Sequence, residues 1–213
     1  MTKVVYFPVL ILLLSSCIGQ HKSDAQKIVV HPESSLHVAI EADTLTIDLR
    51  KSTIDWIATE MRQTKRRTGV ISFHDGFFLS KNKELVGGKF TVAMNSMDIT
   101  DVPLHEKIAR KNLLDHLKSD DFFNVAAYPL STLEITSIEK IKQDSLNISA
   151  NLSIREVTRN IQFYAHYKDR HFTTRFTFNR LDWNIAYEGS WADKTLVDKD
   201  VELQVSIVVK DAF

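Results

Sequence analysis

SLNISANLSIREVTRNIQFYAHYKDRHFTTRFTFN, residues 145–179, carries three apolar rows in succession, each with a period of two. Leu146, Ile148, Ala150, Leu152 and Ile154 form the first row. Ile161, Phe163, Ala165 and Tyr167 form the second, and Phe172, Thr174, Phe176 and Phe178 the third. A two-residue period sends alternate side chains to opposite faces of a strand, so each row is the dry face of a half-wet strand. Lys168-Asp169-Arg170 separates the last two rows with the polar residues that tight turns favour.

The same pattern continues outward. Leu203, Val205, Ile207 and Val209 alternate near the end of the chain. Phe90, Val92 and Met94 follow Gly87-Gly88, and Ile54, Trp56 and Ala58 lie on an earlier segment. Further turn signals stand at His74-Asp75-Gly76, Lys81-Asn82-Lys83 and Gln143-Asp144. Gly87-Gly88 reads as a bulge or a close backbone approach within a strand. Strands at hairpin spacing build an antiparallel sheet whose edges must be hidden, and closure into a barrel hides them most completely. The fold class is therefore all-β. Residues 104–117 break the alternation, because Ile108, Leu113, Leu114 and Leu117 fit helical spacing. Thr100 or Asp101 is expected to cap this helix and Pro103 to sit in its first turn, with the helix lying across one barrel mouth. The inward rows mix phenylalanine with Ala58, Ala150, Ala165 and Thr174. That mixture leaves a packed interior and a hollow one equally open.

The opening residues point to export. Lys3, the apolar run Val4 to Leu14, and Leu14-Ser15-Ser16-Cys17 have the order of a secretory signal. The run is short of the ~20 apolar residues that a spanning helix needs. Cys17, the chain's one cysteine, falls where a bacterial lipobox places the residue that receives diacylglycerol. Three segments are thus expected: a lipoprotein signal peptide over 1–16, a lipidated cysteine and polar tether over 17–34, and a barrel domain over 35–213. More than one acyl chain makes a stable membrane anchor. Ile18 stands where an aspartate would hold such a protein at the inner membrane, so an outer-membrane location facing the periplasm is expected.

Lysine plus arginine balance aspartate plus glutamate at 27 each, which argues against a nucleic-acid partner. Lys65-Arg66-Arg67 is a local run that reads first as a solvated turn, with contact to anionic headgroups as the lesser reading. Twelve phenylalanines against three tryptophans suit an apolar interior.

The order of motifs resembles the YceI-like family of bacterial lipocalin-like lipid-binding proteins. STIDWIATE (52–60), GVISFHDG (69–76), LVGGKFTVAMNSM (85–97), HLKSDDFFNVAAYP (116–129), NLSIREVTRNIQF (151–163), FTFNRLDWNI (176–185) and VELQVSIVV (201–209) carry the likeness. The resemblance implies an eight-stranded antiparallel barrel with a helix inserted mid-chain and an elongated apolar cavity. In that cavity it implies a polyisoprenoid, quinone or fatty lipid ligand, with no other cofactor. It also implies a homodimer, although no interface is marked in the chain. If the barrel is hollow, the inward rows make Trp56, Phe90, Val92, Met94, Ile148, Phe163 and Phe176 the expected ligand-binding residues, with Phe122 and Phe123 near the helical insert and His74 at the mouth. Departures from the family pattern are Ala93 for an aspartate, Ala150 and Glu156 where glycines are common, and Asn184 for a glycine.

Residues of types able to carry chemistry read mainly as structure. His74 has no partner at metal-ligand spacing and suits a polar group at the barrel mouth that meets a headgroup. His105 and His116 lack a completing carboxylate motif. Asp120 and Asp121 suit a turn fixed by bonds to the backbone, with Phe122 and Phe123 plugging the barrel. Arg155, Arg159 and Arg180 leave salt bridges and headgroup contact both open. No Gly-x-Ser-x-Gly elbow or phosphate loop occurs. The expected function is therefore non-enzymatic: an envelope lipoprotein sheltering a lipid tail. An envelope interaction or redox-partner role, such as a quinone carrier, is the first alternative, and an enzyme on a lipophilic substrate the second.

Overall fold

The computed structural model describes residues 21–35, 41–60, 63–186 and 197–210. The stretch expected to be a leader, and Cys17 with it, lies outside the described residues. Three short strands come first: β1 (Gln26–Lys27), β2 (Val29–His31) and β3 (Asp43–Thr46). Eight longer ones follow: β4 (Thr53–Glu60), β5 (Lys65–Lys81), β6 (Glu84–Ile99), β7 (Leu130–Lys142), β8 (Ser145–Ile154), β9 (Val157–Lys168), β10 (His171–Asn179) and β11 (Val197–Val208). These eight pair antiparallel in chain order, and β11 returns to β4 with Leu203 opposite Trp56. The sheet is thus a closed eight-stranded antiparallel barrel, and among the described residues its eight main strands leave no long edge open to another chain.

Asn82 and Lys83 (φ 53° and 65°) connect β5 to β6, and Asp169 and Arg170 (φ 48° and 67°) connect β9 to β10. Both residues of each pair take positive φ, whose twist matches that of the flanking strands. His74-Asp75-Gly76 is not a turn. β5 continues through it, with register shifts between Val70 and Ser72 and between Phe73 and Asp75. Glycine is needed there for closeness: a Cβ on Gly76 would lie 2.6 Å from the Phe90 ring. Gly87-Gly88 faces a further register shift, between Leu79 and Ser80, as a bulge would require.

The helix, α1, spans Lys107–Lys118 and starts later than its apolar spacing suggested. Glu106 is its N-cap residue and makes no side-chain cap bond. Asp101 instead accepts from the Thr68 amide (3.1 Å) and from Arg67 (2.9 Å), which ties the end of β6 to β5. Pro103 lies before the helix, where its carbonyl accepts from the Glu106 amide at 3.0 Å. Among the described residues no helix is long and apolar enough to cross a membrane.

Part of the stretch expected as a polar tether, residues 26–31, is built into the barrel wall. β9 and β10 pair only near their hairpin, from Lys168–His171 to Ala165–Thr174. Beyond that point β1 pairs parallel with β10 at Phe176–Thr177, and β2 pairs antiparallel with β9 at Asn160–Gln162. Residues 26–31 therefore wedge the seam. The Ile28 amide donates to Thr177 O (3.1 Å), and Gln26 Oε1 accepts from the Tyr164 amide (3.0 Å). Ser34 and Asn151 exchange two hydrogen bonds, at 3.1 and 2.7 Å. Unpaired strand groups at the open seam supply the cause, since buried backbone donors and acceptors must be satisfied.

Connections sort by end. The β5–β6, β7–β8 and β9–β10 hairpins share one end, and the β4–β5 and β8–β9 hairpins, α1 and the 3₁₀ turn Arg180–Trp183 share the other. The first end is plugged by packed side chains. Phe78 meets Phe90 (4.8 Å between ring centroids) and Phe172 (5.1 Å), with Ile47, Ile148, Ala165 and Val209 buried around them.

Candidate functional site: an apolar cavity with a charged rim

The other end is hollow. A cavity with an empty volume of about 1560 Å³, part of it open to solvent at the mouth, occupies that half of the barrel. The inward rows become its walls because a closed barrel turns one face of every strand to the axis. Trp56 on β4, Phe90, Val92 and Met94 on β6, Phe163 on β9 and Phe176 on β10 all line it. Phe163 and Phe176 stack with centroids 4.9 Å apart, and Phe73 and Phe172 lie toward the plugged end. Val201, Leu203, Val205 and Ile207 supply the β11 wall.

The helical insert forms the lid. Leu113, His116 and Leu117 of α1 reach the cavity, followed by Phe122 and Phe123 from the turn after it. That turn is fixed locally: the Asn124 amide donates to Ser119 O (2.7 Å), and Asp120 accepts from the Asp121 amide (3.1 Å). The aspartates are thus turn residues, and the two phenylalanines, edge to face at 5.0 Å, point inward. Arg155 supports the lid by donating to Phe122 O at 3.1 Å, and Arg159 donates to Asp182 O at 3.3 Å.

Charged groups ring the mouth: Glu60, Arg67, Arg180 and Asp198. Arg67 bridges Glu60 (3.2 Å) and Asp101 (2.9 Å). Burial works against its charged form, but the two carboxylates outweigh burial and raise its pKa. Arg180 is only 3% exposed; it donates to Ile185 O and to Asp198 O (3.3 Å), and its guanidinium lies 5.3 Å from the Phe122 ring centroid. Burial lowers its pKa and the Asp198 charge opposes that shift; a guanidinium stays charged throughout. Trp56 in the wall adds a buried indole N–H without a hydrogen-bond partner among the described residues. No group of three or more His, Cys, Asp or Glu among the described residues is placed to hold a metal ion.

Eight of the ten residues expected as ligand-binding line this cavity, and two do not. His74 is exposed on the outer face, because it stands one residue out of step with inward Phe73. Ile148 is fully buried toward the plugged end, beside Ile138 and Phe163 on the neighbouring strands, and is not part of the cavity lining. Ala165 likewise belongs to the packed end rather than to a cavity wall. Arg67 and Glu60 carry no site signal in the sequence: Lys65-Arg66-Arg67 reads as a solvated turn, whereas these residues open β5 against β4 and Arg67 is half-buried. Their roles depend on Asp101 and on the lid, contacts that no local pattern reveals.

The family profile described as YceI-like domain matches residues 45–209 of this chain. A UPF0312 protein of Azotobacter vinelandii is 38% identical over 52 residues, 24% of this chain and 27% of the relative. A protein YceI of Salmonella arizonae is 31% identical over 98 residues, 46% of this chain and 47% of the relative. The chain therefore spans about half, or less, of the length of the curated relatives it matches. Among solved structures, Burkholderia cenocepacia BcnA superposes with a TM-score of 0.63 at 18% identity, over 77% of this chain and 99% of that one. A polyisoprenoid binding domain from Saccharophagus degradans gives 0.56 at 12% identity, over 81% and 100%. These two likenesses carry the fold, and the profile match over most of the described barrel carries the family. The chain belongs to the YceI-like domain family.

Proposed function

We propose that this protein is an envelope lipoprotein, held at the outer membrane through Cys17, that shelters a polyisoprenoid or similar long-chain amphiphile in its barrel. One observation carries the reading: an apolar cavity in one end of the barrel, with the charged residues Glu60, Arg67, Arg180 and Asp198 in its lining at that end. Such a site takes a tail inside and a polar head outside. Each buried CH₂ contributes about 0.8 kcal/mol, so a partly inserted tail gains enough to outweigh the cost of ordering it. The Saccharophagus degradans neighbour, described as a polyisoprenoid binding domain, supports the same ligand class. Binding rather than catalysis fits the polar groups: Arg67 is engaged by Glu60 and Asp101, and Ser131 in the wall donates to Ser153 O at 2.6 Å. Neither is left poised as a nucleophile with a base beside it.

The test is native mass spectrometry of the protein purified from its own host, followed by solvent extraction. A co-purifying long-chain amphiphile at near one per barrel is expected. Protein that arrives empty, and takes up no isoprenoid or fatty lipid on incubation, contradicts the proposal.

A further inference from the structure

The chain enters the barrel at the cavity mouth. The His21 amide donates to Gln63 O (2.9 Å) in the β4–β5 hairpin, and the Gln63 amide donates to Asp198 Oδ2 (2.9 Å) on the rim. Ser23 then fixes the segment to the barrel wall through Glu202 Oε2 (2.5 Å). Only three residues lie between Cys17 and His21, and the four chain steps reach about 14 Å at full extension. The plugged end lies much farther off: the twelve residues of β9, at ~3.3 Å each and tilted as barrel strands are, put it about 30 Å away.

The surface at the mouth matches that constraint. Leu104, just before α1, and Ile108, in its first turn, are each 78% exposed, more than any other large apolar side chain among the described residues. Leu181, in the 3₁₀ turn at the same end, is 43% exposed. Lys22, Lys65 and Arg66 stand exposed near the hairpin. Apolar side chains interspersed with cations are what a bilayer interface accepts, the first among acyl chains and the second among anionic headgroups.

We propose that the open end of the barrel is a bilayer-docking surface, held there by the short chain to Cys17, so that an amphiphile passes between membrane and cavity without crossing bulk water. The inference rests on the anchor reading and extends it to an orientation. A tail leaving the cavity enters the headgroup layer directly, while Lys65 and Arg66 hold the rim on anionic lipid.

The test uses the full-length protein reconstituted in phosphatidylethanolamine–phosphatidylglycerol vesicles that carry a headgroup-nitroxide lipid. With Cys17 acylated, an introduced cysteine is the one free thiol, so Leu104→Cys and Gln143→Cys place a fluorophore at the open and plugged ends respectively. Quenching is expected to be several-fold stronger at position 104 than at 143. Equal quenching, or stronger quenching at 143, overturns the orientation when mass spectrometry shows Cys17 acylated. A chain without acyl groups overturns the anchor reading, and this inference with it. Leu104→Ser with Ile108→Ser should slow lipid transfer from cavity to vesicle several-fold while leaving bound lipid per barrel unchanged; an unchanged transfer rate also contradicts the docking surface.

Discussion

Single residues show where close packing sets the limits. Gly69 lies against the face of Trp56, and a Cβ there would stand 2.1 Å from Asp98 O and 2.2 Å from the indole ring. Gly69→Ala should therefore destabilise the barrel by about 1–3 kcal/mol, as overpacking does, measured by urea unfolding. Trp56→Phe runs the other way. It removes a buried N–H that has no partner among the described residues, a group whose burial costs about 1–3 kcal/mol, while keeping an aromatic wall. Stability within about 1 kcal/mol of the parent, or above it, is expected; a larger loss would mean that the N–H is satisfied. Asn184, where the family favours glycine, takes φ 56° as the C-cap of the 3₁₀ turn. Asparagine tolerates that left-handed conformation through its short polar side chain. Asn184→Val should cost about 1–2 kcal/mol and Asn184→Gly close to nothing, read from the same unfolding curves.

At the scale of elements, the N-terminal strands hang on a charged cluster. Glu202 accepts from Ser23 Oγ (2.5 Å), Arg175 Nε (2.6 Å) and Gln204 Nε2 (2.7 Å). Burial alone would raise its pKa, but these bonds and the Arg175 charge outweigh burial and hold the carboxyl below its ordinary value. A depressed folded value means that the stabilisation is present above the unfolded value and lost as pH falls through the folded one. Hydrogen exchange at the Ile28 amide, corrected for its intrinsic rate, should accelerate in acid before the β4–β11 ladder does. Glu202→Gln should produce the same loosening at neutral pH. Exchange at Ile28 that tracks the whole barrel in both cases would rule out a separate N-terminal latch. This element was the least legible in the sequence. Its polar composition reads as a tether, although Gln26, Ile28 and Val30 alternate toward the wall. What recruits it is the unpaired backbone between β9 and β10, which side-chain pattern does not record. The barrel strands were legible because a one-residue slip would turn every apolar row outward. His74-Asp75-Gly76 misled for a related reason: polar residues beside a glycine mark a bulge as well as a turn.

At the scale of the molecule, two regimes share one barrel. Phe78, Ile148 and Ala165 fill the hairpin end, while Val92, Leu133 and Val205 face empty space under the lid. Alternation marks all of them alike as inward, so it leaves the choice between packed and hollow open; the answer depends on which side chains meet across the axis. The two regimes should respond differently to added bulk. Ala165→Trp should overpack its end and cost about 1–3 kcal/mol without emptying the cavity. Val92→Trp should fold with little loss, because its ring has room, and should occupy the volume a tail needs. Bound long-chain lipid per barrel in Val92→Trp, counted by native mass spectrometry beside the parent protein from the same host, tests the central claim most directly. The account predicts that the parent carries lipid and that the variant, folded with an unchanged melting temperature, carries little or none; a variant that retains the parent's full lipid load would contradict it.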